Sequence, residues 1–236
     1  MKVSLISIKI LIIVSLLSTC LLAQNASPGS SKDAYLTWSA PQATKLLESW
    51  RIKGRVGGFF DTRILGTDKS FNYKLRATLM SPEAIRAAAR IEQIKNQLSD
   101  DETSALVIAG EKVESLIVIV EIDPREGSGV IPNEWRALLK PKSAEPNADS
   151  AVRGVIRNDL RNVVTLKGSV NRDYDYDIFT VEFPLKDRNG NAYWKTVPAE
   201  MELTVGIYNK EGRVSWKVTE ALKTRIEYLM KKKAGK

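Results

Sequence analysis

Apolar residues recur at helical spacing in three parts of the chain, each preceded by a residue type that caps helices well. The clearest of these predicts a helix over residues 82–98, because Ser81 is a good N-cap and Pro82 suits the first turn. The other two helices are predicted to begin after Ser39 and Thr219. In the 82–98 helix the predicted buried positions are Ala84, Ala87, Ala88, Ile91, Ile94 and Leu98, with Gln93 facing outward.

Strand-like runs occupy most of the remaining sequence. Phe71–Leu79 alternates apolar and polar residues, whereas Ala105–Ala109 and Leu116–Ile122 are almost continuously apolar, which is typical of strands buried on both faces. A bent or interrupted strand is predicted over Arg51–Leu65, because three glycines fall within it. Residues 132–139 fit a short helix.

The C-terminal part predicts a β-hairpin. Its first strand has apolar residues on one face from Met201 to Ile207, and Val214, Trp216 and Val218 share one face of its second strand. The four residues Asn209–Gly212 are predicted to join them. Together these elements predict an α+β fold with a largely antiparallel sheet, a packed helix at 82–98 and a C-terminal β-hairpin.

The N-terminus has the pattern of a signal peptide over residues 1–23. Lys2 and Lys9 precede a short apolar run that is under half the roughly 20 residues of a spanning helix. We therefore predict an exported protein, secreted or periplasmic, with Gln24 at or near the mature N-terminus. The alternative is a lipid anchor on Cys20, since residues 17–20 resemble a lipobox apart from Thr19. Membrane contact is expected only in that case.

The composition of the mature chain predicts three regions. Residues 24–32 form a predicted linker, 33–220 a globular region with a possible subdivision at 140–150, and 221–236 a final helix with a basic tail. The formal net charge is +8, but six of the lysines lie in the signal peptide and in the last six residues, which leaves +2 for the rest. This distribution gives no indication of nucleic-acid binding.

The residue types that are missing exclude several chemistries. The chain has no histidine, and its one cysteine, Cys20, lies in the predicted signal peptide. Ser-His-Asp catalysis, histidine-bound zinc and mature thiol chemistry are therefore excluded, and no disulfide framework is possible. No phosphate-binding or dinucleotide-binding glycine motif occurs, and no cofactor is predicted.

Three sets of residues remain as weak candidates for a site. Asp173, Asp175 and Asp177 have the spacing of a calcium loop, but Ile178 replaces the loop glycine and Pro184 the closing glutamate, so a solvated acidic loop is the favoured interpretation. Glu200 and Glu202 are expected on the solvent face of a strand rather than as a catalytic pair. Tyr193 and Trp194 could form an aromatic platform, although packing of Trp194 in the sheet is favoured.

Three segments carry a resemblance to a family of exported bacterial proteins with no assigned activity. Tyr35–Trp38 through Leu46 and Leu47 to Trp50 is similar to the opening helix of that family. Tyr73–Arg76 through Ser81-Pro82 to Arg90 is similar to its strand-into-helix unit, and Val181–Pro184 with the final hairpin to its C-terminal strands. The resemblance implies a fold and a compartment, and no catalytic residues.

The function expected from the sequence is a non-enzymatic secreted or envelope module that binds a protein or a polymer through its sheet surface. Two alternatives remain open: a carboxylate- or metal-dependent hydrolase, and a lipid-anchored structural protein.

Overall fold

The computed structural model describes residues 33–58, 72–124, 134–142, 150–168 and 177–231. The chain divides into two compact units, Met1–Thr37 and Trp38–Lys236. The described residues of the first unit form a 3-10 turn, Ala34–Thr37, and the α-helices and strands of the described residues belong to the second unit. The predicted signal peptide, linker and basic tail at 232–236 lie outside the described residues, as does the stretch 143–149.

Four α-helices lie in the described part of the second unit, and a side-chain cap marks the start of each. Ser39 and Gln42 form the predicted capping box, and the Ser81 hydroxyl accepts a hydrogen bond from the amide of Ala84. The Thr219 hydroxyl accepts a hydrogen bond from the amide of Leu222 at 3.3 Å. These caps confirm the three predicted helix starts. The helices are α1 (Ala40–Ser49), α2 (Pro82–Asn96), α3 (Asp100–Glu111) and α4 (Glu220–Lys231).

Helix α3 corrects the prediction of a strand at Ala105–Ala109. Ser99 and Glu102 form a capping box that starts a helix immediately before this apolar run. The helix buries one stripe, formed by Thr103, Val107 and Gly110, and leaves Ile108 65% exposed. The run is apolar for its whole length, but only one of its faces is covered.

The buried stripe of α2 was predicted correctly at its start and wrongly at its end. Ala84, Ala87 and Ala88 are buried, but Ile94 is 40% exposed. Gln93, predicted to face outward, is buried and donates to the Asp100 carboxylate at 2.7 Å. Helix α3 packs against α2, so this side of α2 meets protein instead of water.

The strands form two antiparallel sheets, which confirms the predicted α+β class. The first sheet has the order β1-β2-β3-β7-β6 and the second the order β5-β4-β8-β9. Strand β4 lies where a short helix was predicted at 132–139, so that prediction was wrong. The strands are β1 (Arg51–Val56), β2 (Tyr73–Leu79), β3 (Leu116–Pro124), β4 (Trp135–Pro141), β5 (Val152–Arg153), β6 (Val155–Ile156), β7 (Asp177–Phe183), β8 (Glu200–Ile207) and β9 (Lys210–Lys217).

The predicted hairpin is strands β8 and β9, with a tighter turn than expected. The pairing extends from Glu200 opposite Lys217 to Ile207 opposite Lys210, so that Tyr208 and Asn209 alone connect the strands. Strand β9 therefore begins three residues earlier than the predicted four-residue connection, Asn209–Gly212, implied. Met201, Leu203, Val205 and Ile207 are all buried, as predicted.

The two sheets pack face to face as a sandwich whose interior is filled by side chains. Trp135 of β4 and Phe179 of β7 have ring centroids 4.8 Å apart. On one side the chain passes from the second sheet to the first through Gly154, where a Cβ would collide with Val181 and Phe183. On the other side β1 lies against β9, and a Cβ on Gly212 would collide with the carbonyl of Arg55. Both sides of the sandwich are therefore closed by backbone.

Helices α2 and α3 pack on each other and on the 3-10 turn Val164–Leu166, and the residue Gly168 just after that turn reaches the outer face of the first sheet. Gly110 of α3 lies against Ile85 of α2 and against Thr165, and Gly168 lies against Ile119 of β3. The other end of this face, formed by β1 and β2, has partly or fully exposed polar side chains. No helix among the described residues is both long and apolar enough to span a membrane.

Candidate functional site

The acidic residues proposed as a calcium loop are only partly described. Asp173 and Asp175 lie outside the described residues. Asp177 is the first residue of β7, is exposed, and pairs in register with Ile122 on the face that also carries Phe179 and Val181. In the described ranges, no group of three or more His, Cys, Asp or Glu side chains is arranged to hold a metal ion.

Glu200 and Glu202 project from the outer face of the second sheet, as expected. Each forms an ion pair with its own lysine: Lys142 Nζ lies 3.0 Å from Glu200, and Lys140 Nζ lies 3.2 Å from Glu202. Glu202 is less exposed than predicted, with 13% of its side chain accessible. The lysines give both carboxylates a structural role across β4 and β8.

Tyr193 and Trp194 do not form an aromatic platform. The Trp194 ring is buried, and its indole nitrogen donates to the Ser150 carbonyl at 2.8 Å. Tyr193 is 39% exposed. The favoured interpretation, packing of Trp194 in the sheet, was right about burial but wrong about the element, because Trp194 lies in the segment between β7 and β8 and not in a strand. Its buried indole finds an internal hydrogen-bond partner.

A groove of about 420 Å³ lies between the end of α1, β1 and the end of β9. Two tryptophans line it, but Trp50 and Trp216 are only 7% and 4% exposed, because their rings already pack in the interior. Its best-placed carboxylate, Glu83, accepts a hydrogen bond from Thr219 at 2.6 Å. The groove is therefore mainly a junction of packed elements.

The outer face of β1 and β2 carries a dense set of positive charges. In the sheet register, Lys53 lies opposite Arg76, and Arg55 lies opposite Lys74. We call these four residues the cationic face. Lys53 is exposed and the other three are half-buried. Within the described strands β1 to β3, this side of the sheet presents five cationic and only two acidic side chains.

Neighbouring acids balance part of this charge. Lys74 Nζ lies 3.5 Å from the Asp123 carboxylate. Arg55, Lys74 and Arg76 each have a further interaction within the protein. The surface is thus cationic through the density of its charges, not because any of these side chains lacks a partner.

A buried ion pair lies next to the cationic face. Arg51 donates two hydrogen bonds to Glu121, at 3.0 and 2.6 Å, and the two side chains are 6% and 4% exposed. Burial lowers the pKa of Arg51, but the hydrogen bonds and the charge of Glu121 outweigh it and leave the pKa above its ordinary value. The pair ties the start of β1 to β3. The other two cations of β1, Lys53 and Arg55, lie farther along the strand.

The sequence contains the signal for the cationic face, although our sequence analysis missed it. Lys53 and Arg55 are two residues apart, as are Lys74 and Arg76, and alternate residues of a strand share one face. The near-neutral charge of the folded region conceals this local excess. Only the pairing of β1 with β2 brings the two sets together.

Comparison of the chain with protein-family models, with curated protein sequences and with solved structures finds no match.

Proposed function

We propose that the protein is a non-enzymatic, exported binding module that holds an anionic partner on the cationic face. The observation that supports this proposal is the register of β1 and β2, which places like charges directly opposite each other twice in succession. In each pair the side chains are about 5 Å apart at their Cβ atoms, so an anionic group bound on this face would lie near several cations at once.

The geometry favours binding over catalysis. The cationic face lies on paired strands, which hold side chains more rigidly than loops do. Its groups are guanidinium and ammonium donors, which suit carboxylate, sulfate or phosphate oxygens. Export is proposed from the N-terminal sequence pattern alone.

A charge-removal experiment tests this function. The double variant Lys53→Gln/Arg55→Gln removes one member of each like-charge pair. We expect its affinity for dextran sulfate, measured by calorimetry at physiological ionic strength, to fall about tenfold, since exposed charge contacts contribute up to about 1 kcal/mol each. Affinity of the wild type should also fall as salt is added.

The matched control removes two arginines from the outer face of the second sheet. Arg136 and Arg213 have side chains that are each 58% exposed, and Arg136→Gln/Arg213→Gln changes the net charge by the same amount. Its affinity should stay within about twofold of wild type. Equal losses in the two double variants, or a wild-type protein that does not bind the polymer, would refute the proposal.

A further inference from the structure

The exposed face of helix α3 lies directly opposite its buried stripe. At helical spacing it carries four solvent-exposed residues, which we call the α3 stripe: Asp101, Ala105, Ile108 and Lys112. Ile108 is 65% exposed, more than any other large aliphatic side chain among the described residues. One exposed isoleucine is common on protein surfaces, but here the apolar pair at the middle of the stripe lies between two opposite charges.

The two charges of the α3 stripe cannot pair with each other. Asp101 lies in the first turn of α3, whereas Lys112 is the C-cap residue and keeps helical backbone angles. At the rise of an α-helix they are about 16 Å apart along the axis. Among the described residues, neither side chain has an ion-pair partner. The stripe therefore presents an unpaired acid at one end and an unpaired base at the other.

We propose that the protein forms a symmetric dimer in which α3 packs antiparallel against α3 of a second copy. Asp101 and Lys112 are equally far from the middle of the stripe, and so are Ala105 and Ile108. A twofold axis at that midpoint places Asp101 beside the partner's Lys112 and Ala105 beside the partner's Ile108. Each contact then occurs twice, as in any isologous interface. The charge pattern is thus complementary to itself.

The spacing and the sizes of the side chains suit this packing. Steps of four, three and four residues along the stripe are those of a coiled-coil seam, in which helices cross at about 20°. At such a shallow crossing the ends of the stripe stay close enough for the charges to pair. The small Ala105 leaves room for the partner's Ile108, and the antiparallel arrangement also places opposite helix dipole ends side by side.

A lipid surface suits the α3 stripe less well. A helix that lies on a membrane has a wide apolar face and carries its charges on the opposite, polar side. Here Asp101 and Lys112 lie in line with the two apolar residues, so contact with lipid would also desolvate both charges.

The test measures self-association of the mature chain by sedimentation equilibrium up to millimolar protein concentration. We expect a reversible dimer with a Kd on the order of hundreds of micromolar, because one short helix gives an interface below the standard size. Ile108→Glu should weaken dimerisation at least about tenfold, since it buries a carboxylate in the middle of the contact. Val155→Glu, which places the same charge at an exposed aliphatic residue of β6, should leave dimerisation unchanged.

Charge exchange tests the pairing of the two stripes. Asp101→Lys places a lysine beside the partner's Lys112, and Lys112→Asp places an aspartate beside the partner's Asp101. Each variant alone should therefore dimerise at least about fivefold more weakly than wild type. An equal mixture of the two variants should recover wild-type association as a heterodimer, because every end of the stripe then meets an opposite charge. Recovery also shows that both variants are folded.

Several outcomes would overturn the dimer. One is a wild type that stays monomeric at millimolar concentration, and another is a mixture of the charge variants that does not recover. Equal losses in Ile108→Glu and Val155→Glu would place the contact elsewhere. A monomer that binds phosphatidylglycerol vesicles through Ile108 would identify a lipid surface as the occupant instead. The dimer does not involve the cationic face, so none of these results bears on the proposed anion binding.

Discussion

Trp216 links the inner face of β9 to the end of α1. It is 4% exposed, and its indole nitrogen donates to the Trp50 carbonyl at 2.9 Å. We expect Trp216→Ala to lower the free energy of unfolding by about 3–5 kcal/mol, through lost burial and the cavity left behind. Guanidinium melts measure the loss. Arg213→Ala, on the solvent face of the same strand, should stay within about 0.5 kcal/mol of wild type. Equal stabilities for the two variants would contradict the burial of Trp216.

The buried pair of Arg51 and Glu121 leads to a second prediction at the residue scale. Glu121→Leu removes the carboxylate and leaves a buried guanidinium, which should cost about 3–5 kcal/mol. The double variant Arg51→Met/Glu121→Leu removes both charges and should recover most of that loss, because an apolar pair can replace a buried ion pair. Denaturant melts of both variants provide the comparison. A double variant as unstable as the single one would contradict this account.

Helix α3 begins at a capping box, immediately before an apolar run that also fits a strand. Ser99→Ala should cost about 0.5–2 kcal/mol. The Ser99 amide and hydroxyl bind the Glu102 carboxylate and hold its pKa below the ordinary value. The stabilisation from Glu102 is therefore complete above its unfolded pKa and is lost as pH falls through the folded pKa.

The effect of Ser99→Ala should accordingly shrink as the pH falls through the folded pKa of Glu102, which lies below its ordinary value. Thermal melts between neutral and acidic pH measure this dependence, with Glu102→Gln as the control in which that pH dependence is reduced. A loss of stability that is the same at every pH would contradict a role for the Glu102 carboxylate.

Most helices and strands were predicted from local sequence patterns, and the exceptions are α3 and β4. Caps identify α2 and α4 without any tertiary contact. The cap before α3 is equally local, but the five apolar residues at 105–109 outweighed it in our interpretation. For β4 the deciding interaction is distant: Ala137 and Leu139 pair with Val205 and Leu203 of β8. No local pattern in residues 132–139 contains that information.

The candidate site follows the same rule. Each strand of the cationic face has its pair of cations at strand spacing, which a sequence pattern can indicate. The turn between β8 and β9, where Tyr208 has a φ of 53°, is different, because its length depends on how far the two strands pair. The predicted four-residue connection would have placed Tyr208 at the end of a strand, where a tyrosine is ordinary.

At the scale of the whole molecule, the proposed export can be tested on the N-terminus. Mass spectrometry of the mature protein should find Gln24, or a residue within a few positions of it, at the first position. This follows from the small residues that end the predicted signal peptide at Ala23. A diacylglyceryl group on Cys20 would contradict ordinary secretion and would make the protein a lipoprotein.

The closure of the sandwich by β1 and β9 has a kinetic consequence. The hydrogen bond between Trp216 and Trp50 joins residues that are 166 positions apart. The contact between β1 and β9, which we call the seam, therefore forms only when nearly the whole chain is available. Folds with many such distant pairings fold slowly, typically over milliseconds to seconds. If the chain is exported as proposed, this delay gives translocation time to act on an unfolded polypeptide. The seam would then be completed after β9 has crossed, with the last strand of the sandwich docking against the first.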